Sequence, residues 1–306
     1  ILSKNGATYT YGDGTWKDLL TKVGSQTISY DKQGNPTSYL GHTLTWEKGR
    51  QLKSFDNITY TYNANGIRTS KTVNGVKHTY TLDGTKVLRE TWGNNTLISL
   101  YDNEYAVCGI IYNGEPYYFQ KNLQGDVIAI ADKDADIVAK YSYDAWGVIR
   151  SVTDADGVDL SNAVSHIANV NPYRYRGYYF DTETNIYYLK SRYYNPVFSR
   201  FINVDESTYV SLDGSIISSN LFAYCKNASS SSVDQSGCAD ANVLQGSYEW
   251  AYLIAAVVPA VAAAKAAIVA AIKSAIAFLW NVFVIVGLVL LVIVLIAAIG
   301  YTAAKV

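Results

Sequence analysis

The chain has no methionine, and among its 306 residues only 5 prolines, 3 histidines and 3 cysteines; each shortage excludes something. A chain without methionine does not begin at a start codon, and its opening "ILSKNGATYTYGDG" lacks the charged-then-apolar layout of a signal peptide. It is therefore expected to be the C-terminal portion of a longer protein, with any export signal upstream. Cys108, Cys225 and Cys238 lie far apart without CxxC spacing, against a zinc site and against a disulfide framework. Cys225 and Cys238 remain a candidate pair, which leaves one thiol over. His42, His78 and His166 are scattered, and no HExxH, GxSxG or Walker-type loop occurs. His78 sits in an alternating stretch and reads as a surface or packed residue rather than a ligand. No metal and no cofactor is implied. The net charge of -1 carries neither a nucleic-acid footprint nor an acidic tail, so no nucleic-acid partner is expected.

What is abundant is tyrosine: 27, against 8 Phe and 6 Trp. Tyrosine and threonine punctuated by Asn and Gly favour half-buried pleated strands. Residues 1–155 carry a degenerate repeat in which aromatic-flanked strands end in an [Asp/Asn]-x-x-Gly turn: "SYDKQGN" (Tyr30, Asp31, Gly34), "TYNANGI" (Tyr62, Asn63, Gly66), "QKNLQGD" (Asn122, Gly125) and "SYDAWGV" (Tyr143, Asp144, Gly147). Trp46 of "LTWEKGR" lies 16 residues from both Tyr30 and Tyr62. Asx side chains bond their own backbone and Gly supplies positive φ. Flanking runs such as "NITYTYN", "VKHTYTLD" and "DVIAIAD" alternate at the strand period. The expected fold is mainly β, a long wound antiparallel sheet over residues 1–153. Residues 154–171 are polar and small, a loop with about one helical turn. The serine run "NASSSSVDQSG" reads as linker.

Composition then changes. From Trp250 to Ala304 the only charges are Lys265 and Lys273, and residues 281–304 are uncharged and mostly apolar. A stretch of that length spans a hydrocarbon core of about 30 Å. A membrane helix is expected at 281–304 and a weaker one at 252–274, where a mid-membrane lysine costs about 2.5–3.5 kcal/mol. Lysines precede and follow the stronger span, so charge does not orient it.

Residues 172–205, "PYRYRGYYFDTETNIYYLKSRYYNPVFSRFINVD", hold eight tyrosines and four arginines. Phenol rings supply apolar area with a polar end, while guanidinium stacks on rings and forks onto carboxylates or carbonyls. Such a stretch suits the inner wall or end-plug of a β-shell, where buried polar groups must be satisfied. If residues 173–176 form a strand, both arginines share one face. Asp181, Glu183, Asp205 and Glu206 weigh against a nucleic-acid platform.

The block resembles the signature of the core domain of Rhs/YD-repeat proteins, on Arg174, Gly177, Asp181, Thr184, Tyr187, Tyr188, Arg192, Tyr193, Pro196, Arg200, Phe201 and Asp205. The turns above are similar to that family's YD repeats, and "NLFAYCKN" (220–227) is similar to the tail of its motif. The resemblance implies a spiral β-shell with a core-domain plug over 154–237, enclosing a variable C-terminal module, here 238–306. Many relatives are exported toxins and others are wall-associated surface proteins. A secreted or cell-surface location is implied, with a cognate immunity protein as a candidate partner. The hydrophobic tip points to membrane as the other partner: a membrane-active toxin module, or an anchor for a surface protein.

The resemblance also implies aspartyl-protease-like self-cleavage after the core domain. Two carboxyls must lie close enough to share a proton, one activating water and the other donating. The matching residues are Asp213 in "LDGS" and Asp234 in "VDQSG", with Asp205 a third candidate, and scission is expected between Cys238 and Ala239. The sequence departs from the family pattern here: "DQSGC" lacks the family's Pro and Leu, "NAS" replaces Asn-Asn-Pro, and no Gly precedes Arg200. The competing reading is that these aspartates hold turns beside Gly214 and Gly237.

Overall fold

A computed structural model describes residues 3–4, 6–12, 16–204, 220–230, 232–234, 237 and 241–242. The chain separates into two compact units, Ile1–Gln245 and Gly246–Val306. The second unit, with both expected membrane helices, lies outside the described residues. No helix among the described residues is long and apolar enough to cross a membrane.

Seventeen strands, from Ser3–Lys4 to Ile149–Thr153, make one antiparallel sheet. Each strand pairs with the next in sequence, as in Ile58–Tyr62 with Arg68–Val73 and that strand with Val76–Asp83. Period-two alternation decides the faces: Tyr60 of "ITYTY" and Tyr80 of "VKHTYTLD" are buried while their neighbours are not. The buried face carries Leu20, Leu44, Leu52, Leu97, Ile110 and Ile130.

The repeat has a physical basis. At each Asx turn the side-chain oxygen accepts the N–H groups two and four residues on. Asp31 bonds Gln33 and Asn35, and Asp144 bonds Trp146 and Val148. The residue three positions on is left-handed, as at Gly34 (φ 82°) and Gly147 (φ 89°). Three further turns of this kind form at Asp102, Asp132 and Asp154. The first two put Tyr105 (φ 64°) and Ala135 (φ 66°) where the others have glycine, so no glycine marks them.

A β-bulge precedes the turns, placing Tyr30, Trp46, Tyr62, Tyr101 and Tyr143 at register shifts. Each of these rings then reaches one repeat back. Tyr30 donates to Leu20 O (2.9 Å), Trp46 to Pro36 O (2.7 Å), Tyr62 to Leu52 O (2.9 Å), Tyr101 to Val87 O (3.1 Å) and Tyr143 to Val127 O (2.8 Å). Every acceptor sits opposite the preceding repeat's bulge. A bulge leaves ladder groups without their regular partner, and a donor on an aromatic ring can satisfy one from inside the core. That is why these five positions hold Tyr or Trp rather than Phe, while the bulges at Leu82 and Lys121 carry other residues.

Against this face lies a second, four-stranded antiparallel sheet: Tyr179–Asp181, Ile186–Tyr188, Tyr193–Asn195 and Arg200–Phe201. All the residues of these strands are buried. The only α-helix among the described residues is the single turn Ile167–Val170, within the expected loop.

One expectation is corrected here. Residues 173–176 are not a strand with both arginines on one face. The chain turns: Gly177 N–H donates to Arg174 O (2.9 Å), Arg174 N–H donates to Tyr178 O (3.1 Å), and Arg176 has φ 56°. The two guanidiniums therefore diverge to different partners.

Candidate functional site

The residues singled out by sequence divide into a scaffold and a small polar cluster at its edge. The scaffold is held by an ionic node. Arg68 forks onto Asp181, Nη1 to Oδ2 at 2.6 Å and Nη2 to Oδ1 at 3.0 Å. Lys71 bridges Asp181 (3.0 Å) and Glu183 (2.7 Å). Burial by itself raises the Asp181 carboxyl, but Arg68 and Lys71 outweigh it and hold the group below its usual range. The Arg68 guanidinium also lies 4.3 Å from the Tyr188 ring centroid and 5.0 Å from that of Tyr179. Tyr179 donates to Glu90 (2.8 Å), whose other oxygen lies 2.6 Å from His78 Nδ1. Packed and paired, His78 is no ligand in this arrangement.

The remaining motif residues bind the two sheets together. Tyr193 shares a 2.7 Å hydroxyl bond with Tyr62, and Tyr187 donates to Gly147 O at 2.9 Å. Arg174 donates to Ala168 O (2.6 Å) and to the Tyr141 hydroxyl (2.9 Å), and Arg200 to Asp18 O (2.8 Å). Gly177 is left-handed beside Val107. Pro196 O accepts from Lys4 (3.1 Å). Ser199, where the resembled motif has glycine, keeps the glycine conformation at φ 58°. These residues anchor; none is arranged as a nucleophile with a base.

The cluster centres on Arg192 and Asp234, both buried. Arg192 Nη2 lies 3.2 Å from Asp234 Oδ2, Nη1 donates to Leu221 O (3.2 Å), and Nε donates to Gly237 O. Its guanidinium stacks 3.5 Å over Phe201. Asp234 Oδ1 accepts Gly237 N–H at 2.7 Å, and Asp234 N–H donates to the Tyr178 hydroxyl at 3.0 Å. Gly237 (φ 79°) packs so closely that a Cβ there would lie 2.6 Å from Ser191 Oγ and 2.7 Å from Leu189 O. Strands Ser232–Val233 and Ala241–Asn242 pair antiparallel, so the connection between them carries the expected Cys238–Ala239 scission point.

A buried carboxylate thus holds the chain one residue before that point. Asp205, Asp213, Cys238 and Ala239 lie outside the described residues, as does the Cys225–Cys238 pairing. The structure brings Asp234 together with Arg192, a partner the pattern of carboxylates did not reveal. Among the described residues no group of His, Cys, Asp and Glu is placed to hold a metal ion.

No family model matches the chain. It is 37% identical over 229 residues to the tRNA3(Ser)-specific nuclease WapA of Bacillus spizizenii, a match covering 71% of this chain and 9% of that protein. In a structure of the Photorhabdus luminescens Tc holotoxin pore, one chain shares the fold with a TM-score of 0.52 at 18% identity, over 76% of this chain and 13% of that one. A chain of TcdB2–TccC3 without its hypervariable C-terminal region does so with a TM-score of 0.50, again at 18% identity and the same coverage. The chain therefore spans about a tenth of the length of these relatives.

Proposed function

We propose that the chain is the C-terminal part of an exported bacterial Rhs/YD-repeat protein of the polymorphic-toxin type, a β-shell closed by its core-domain plug and followed by a variable module. The observation that carries this reading is the tyrosine–arginine block, anchored across the sheet through Asp181, Tyr187, Tyr193 and Arg200, in a fold shared with toxin chains. Residues 238–306 are the variable module. Residues 239–306 have no histidine and only two carboxylates, Asp240 and Glu249, so nothing in them argues for the nuclease activity in the relative's name. Their apolar character supports a module that acts on membrane, with a cognate immunity protein as its natural partner.

Self-cleavage between Cys238 and Ala239 would release that module. Asp234 and a second carboxylate, Asp213 or Asp205, share the work: one takes a proton from water as it attacks the Cys238 carbonyl carbon, the other protonates the departing Ala239 nitrogen. The products are a carboxylate on Cys238 and an amine on Ala239. The Ala241–Asn242 strand still pairs with Ser232–Val233, so the cut ends stay together until the hairpin opens.

Intact mass under denaturing conditions tests this step. Two fragments from the parent and one uncut chain from Asp234→Asn establish self-cleavage; one chain from both removes it. Leakage from dye-loaded anionic vesicles tests the module, comparing the full chain with one ending at Gly237. Leakage by the full chain alone supports the toxin reading. Vesicle binding without leakage favours a surface protein anchored by the single uncharged stretch 274–304.

A further inference from the structure

A cavity of about 170 Å³ lies where the segments Thr85–Val87 and Glu104–Val107 of the large sheet meet Arg176–Tyr179 and Tyr188–Lys190 of the plug. Its volume far exceeds the roughly 10–15 Å³ on this measure that one water needs. Tyrosine rings make the walls, among them Tyr101, Tyr105, Tyr178 and Tyr188. The lining also carries five cations and, among the described residues, one carboxylate, Glu104.

Two of those cations are already engaged. Arg68 is matched by Asp181, and Arg176 lies 3.7 Å from Asp126 while donating to Gln124 O at 2.8 Å. The other three, Lys86, Lys121 and Lys190, have no carboxylate within ion-pairing distance and no hydrogen-bond acceptor among the described residues. Lys86 Nζ instead sits 3.5 Å from the centroid of Tyr105. Burial lowers the amines of Lys121 and Lys190 below their ordinary value, and the more distant Asp102 and Asp234 only partly offset it. Lys190 holds its place with φ 66°, a conformation disfavoured for a residue with a side chain. Charged amines converging unpaired on one half-buried space leave their desolvation uncompensated, which an entering anion relieves.

We propose that this cavity is a binding site for a ring-bearing anion, an aryl phosphate or aryl carboxylate. The ring packs among the tyrosines, and the charge meets Lys86, Lys121 and Lys190. Cation–π and ring–ring contacts favour a flat body, and three mobile ammonium groups suit a compact anion better than an extended one.

Calorimetric titration of the full chain with phenyl phosphate, benzoate and neutral benzyl alcohol tests it. Saturable binding is expected for at least one anion, with a Kd at or below about 1 mM, and none for the alcohol at the same concentration. Lys121→Met and Lys190→Met are each expected to weaken the anion roughly tenfold or more, with a melting temperature no lower than the parent's, because each removes a desolvated charge that has no partner among the described residues. Tyr105→Ala, at a largely exposed ring, is expected to weaken the aryl anion but leave inorganic phosphate binding as it was. Preference for phenyl phosphate over benzoate identifies the phosphate class. No saturable binding by either anion, equal binding by the alcohol, or indifference to both lysine substitutions overturns the proposal.

Discussion

Asp181→Asn is the sharpest test of how the plug is held. The carboxylate is fully buried and accepts three charged hydrogen bonds, two from Arg68 and one from Lys71. Asparagine keeps the shape and removes the charge, leaving Arg68 buried without its counter-ion and Lys71 with Glu183 alone. Breaking one side of a buried pair costs about 3–5 kcal/mol, a large fraction of the roughly 5–15 kcal/mol that holds a domain. At about 2–4 °C per kcal/mol for a unit of this size, melting should fall by roughly 6–20 °C. The sign with pH follows from the lowered Asp181 pKa. A carboxyl lowered from its ordinary 3.8 stabilises the fold above that value, and the contribution is lost as pH falls through the folded pKa. The parent–variant gap is therefore full at neutral pH and closes in strong acid. Replacing the pair together, as Arg68→Met with Asp181→Leu, should recover much of the loss, because Lys71 keeps Glu183 and no charge is left stranded. Differential scanning calorimetry at neutral pH decides it. A variant melting within about 2 °C of the parent would falsify the view that this node carries the plug.

The bulge latch predicts that Tyr62→Phe, which removes the donor to Leu52 O and the partner of Tyr193, costs about 1–3 kcal/mol in urea unfolding; a loss under about 0.5 kcal/mol would mean that water replaces the hydroxyl. Gly147→Ala and Gly157→Ala share φ 89°, but only at Gly147 would a Cβ meet a ring, 2.6 Å from Tyr175 Cδ1. Both should lose about 1–2 kcal/mol to backbone strain, and Gly147→Ala about 1–3 kcal/mol more to overpacking. Equal losses would rule out the packing contribution. Gly237→Ala should free the Gly237 amide from Asp234, seen as faster hydrogen exchange there, because a Cβ has no room against Leu189 O; unchanged exchange would show that the segment shifts without releasing the bond.

Much of the large sheet could be read from residues alone because its determinants are local. An Asx oxygen reaching amides two and four residues on needs nothing beyond its own turn, and Asp31, Asn63, Asn122 and Asp144 announce themselves with a glycine three positions later. The turn at Asp154 carries the same "DADG" signal and was legible on the same terms. Those at Asp102 and Asp132 were not, because Tyr105 and Ala135 take the left-handed position, closed by the turn's own Asx bonds, without the glycine that marks the others. The turn at 174–177 escaped a strand reading for a related reason: period two in "YRYR" matches an extended chain, while Gly177 and the contacts of Arg174 reverse it.

The candidate site was less legible. Asp234 was marked by its place after the core block, but its partner Arg192 looked like any other arginine of that block, 42 positions away. The lysine cavity draws Lys86 and Lys121 from two separate repeats and Lys190 from the plug, and had no sequence signal at all.

By itself, the sequence determined the β-class, the repeat, the turn chemistry and the buried character of the tyrosine–arginine block, because alternation and Asx–Gly spacing act within a few bonds. Only the tertiary structure decided which rings latch which bulges and, among the described residues, which cations meet a carboxylate. Those depend on groups such as Arg68 and Asp181, 113 residues apart, whose meeting is set by how the sheet brings distant repeats onto one plug.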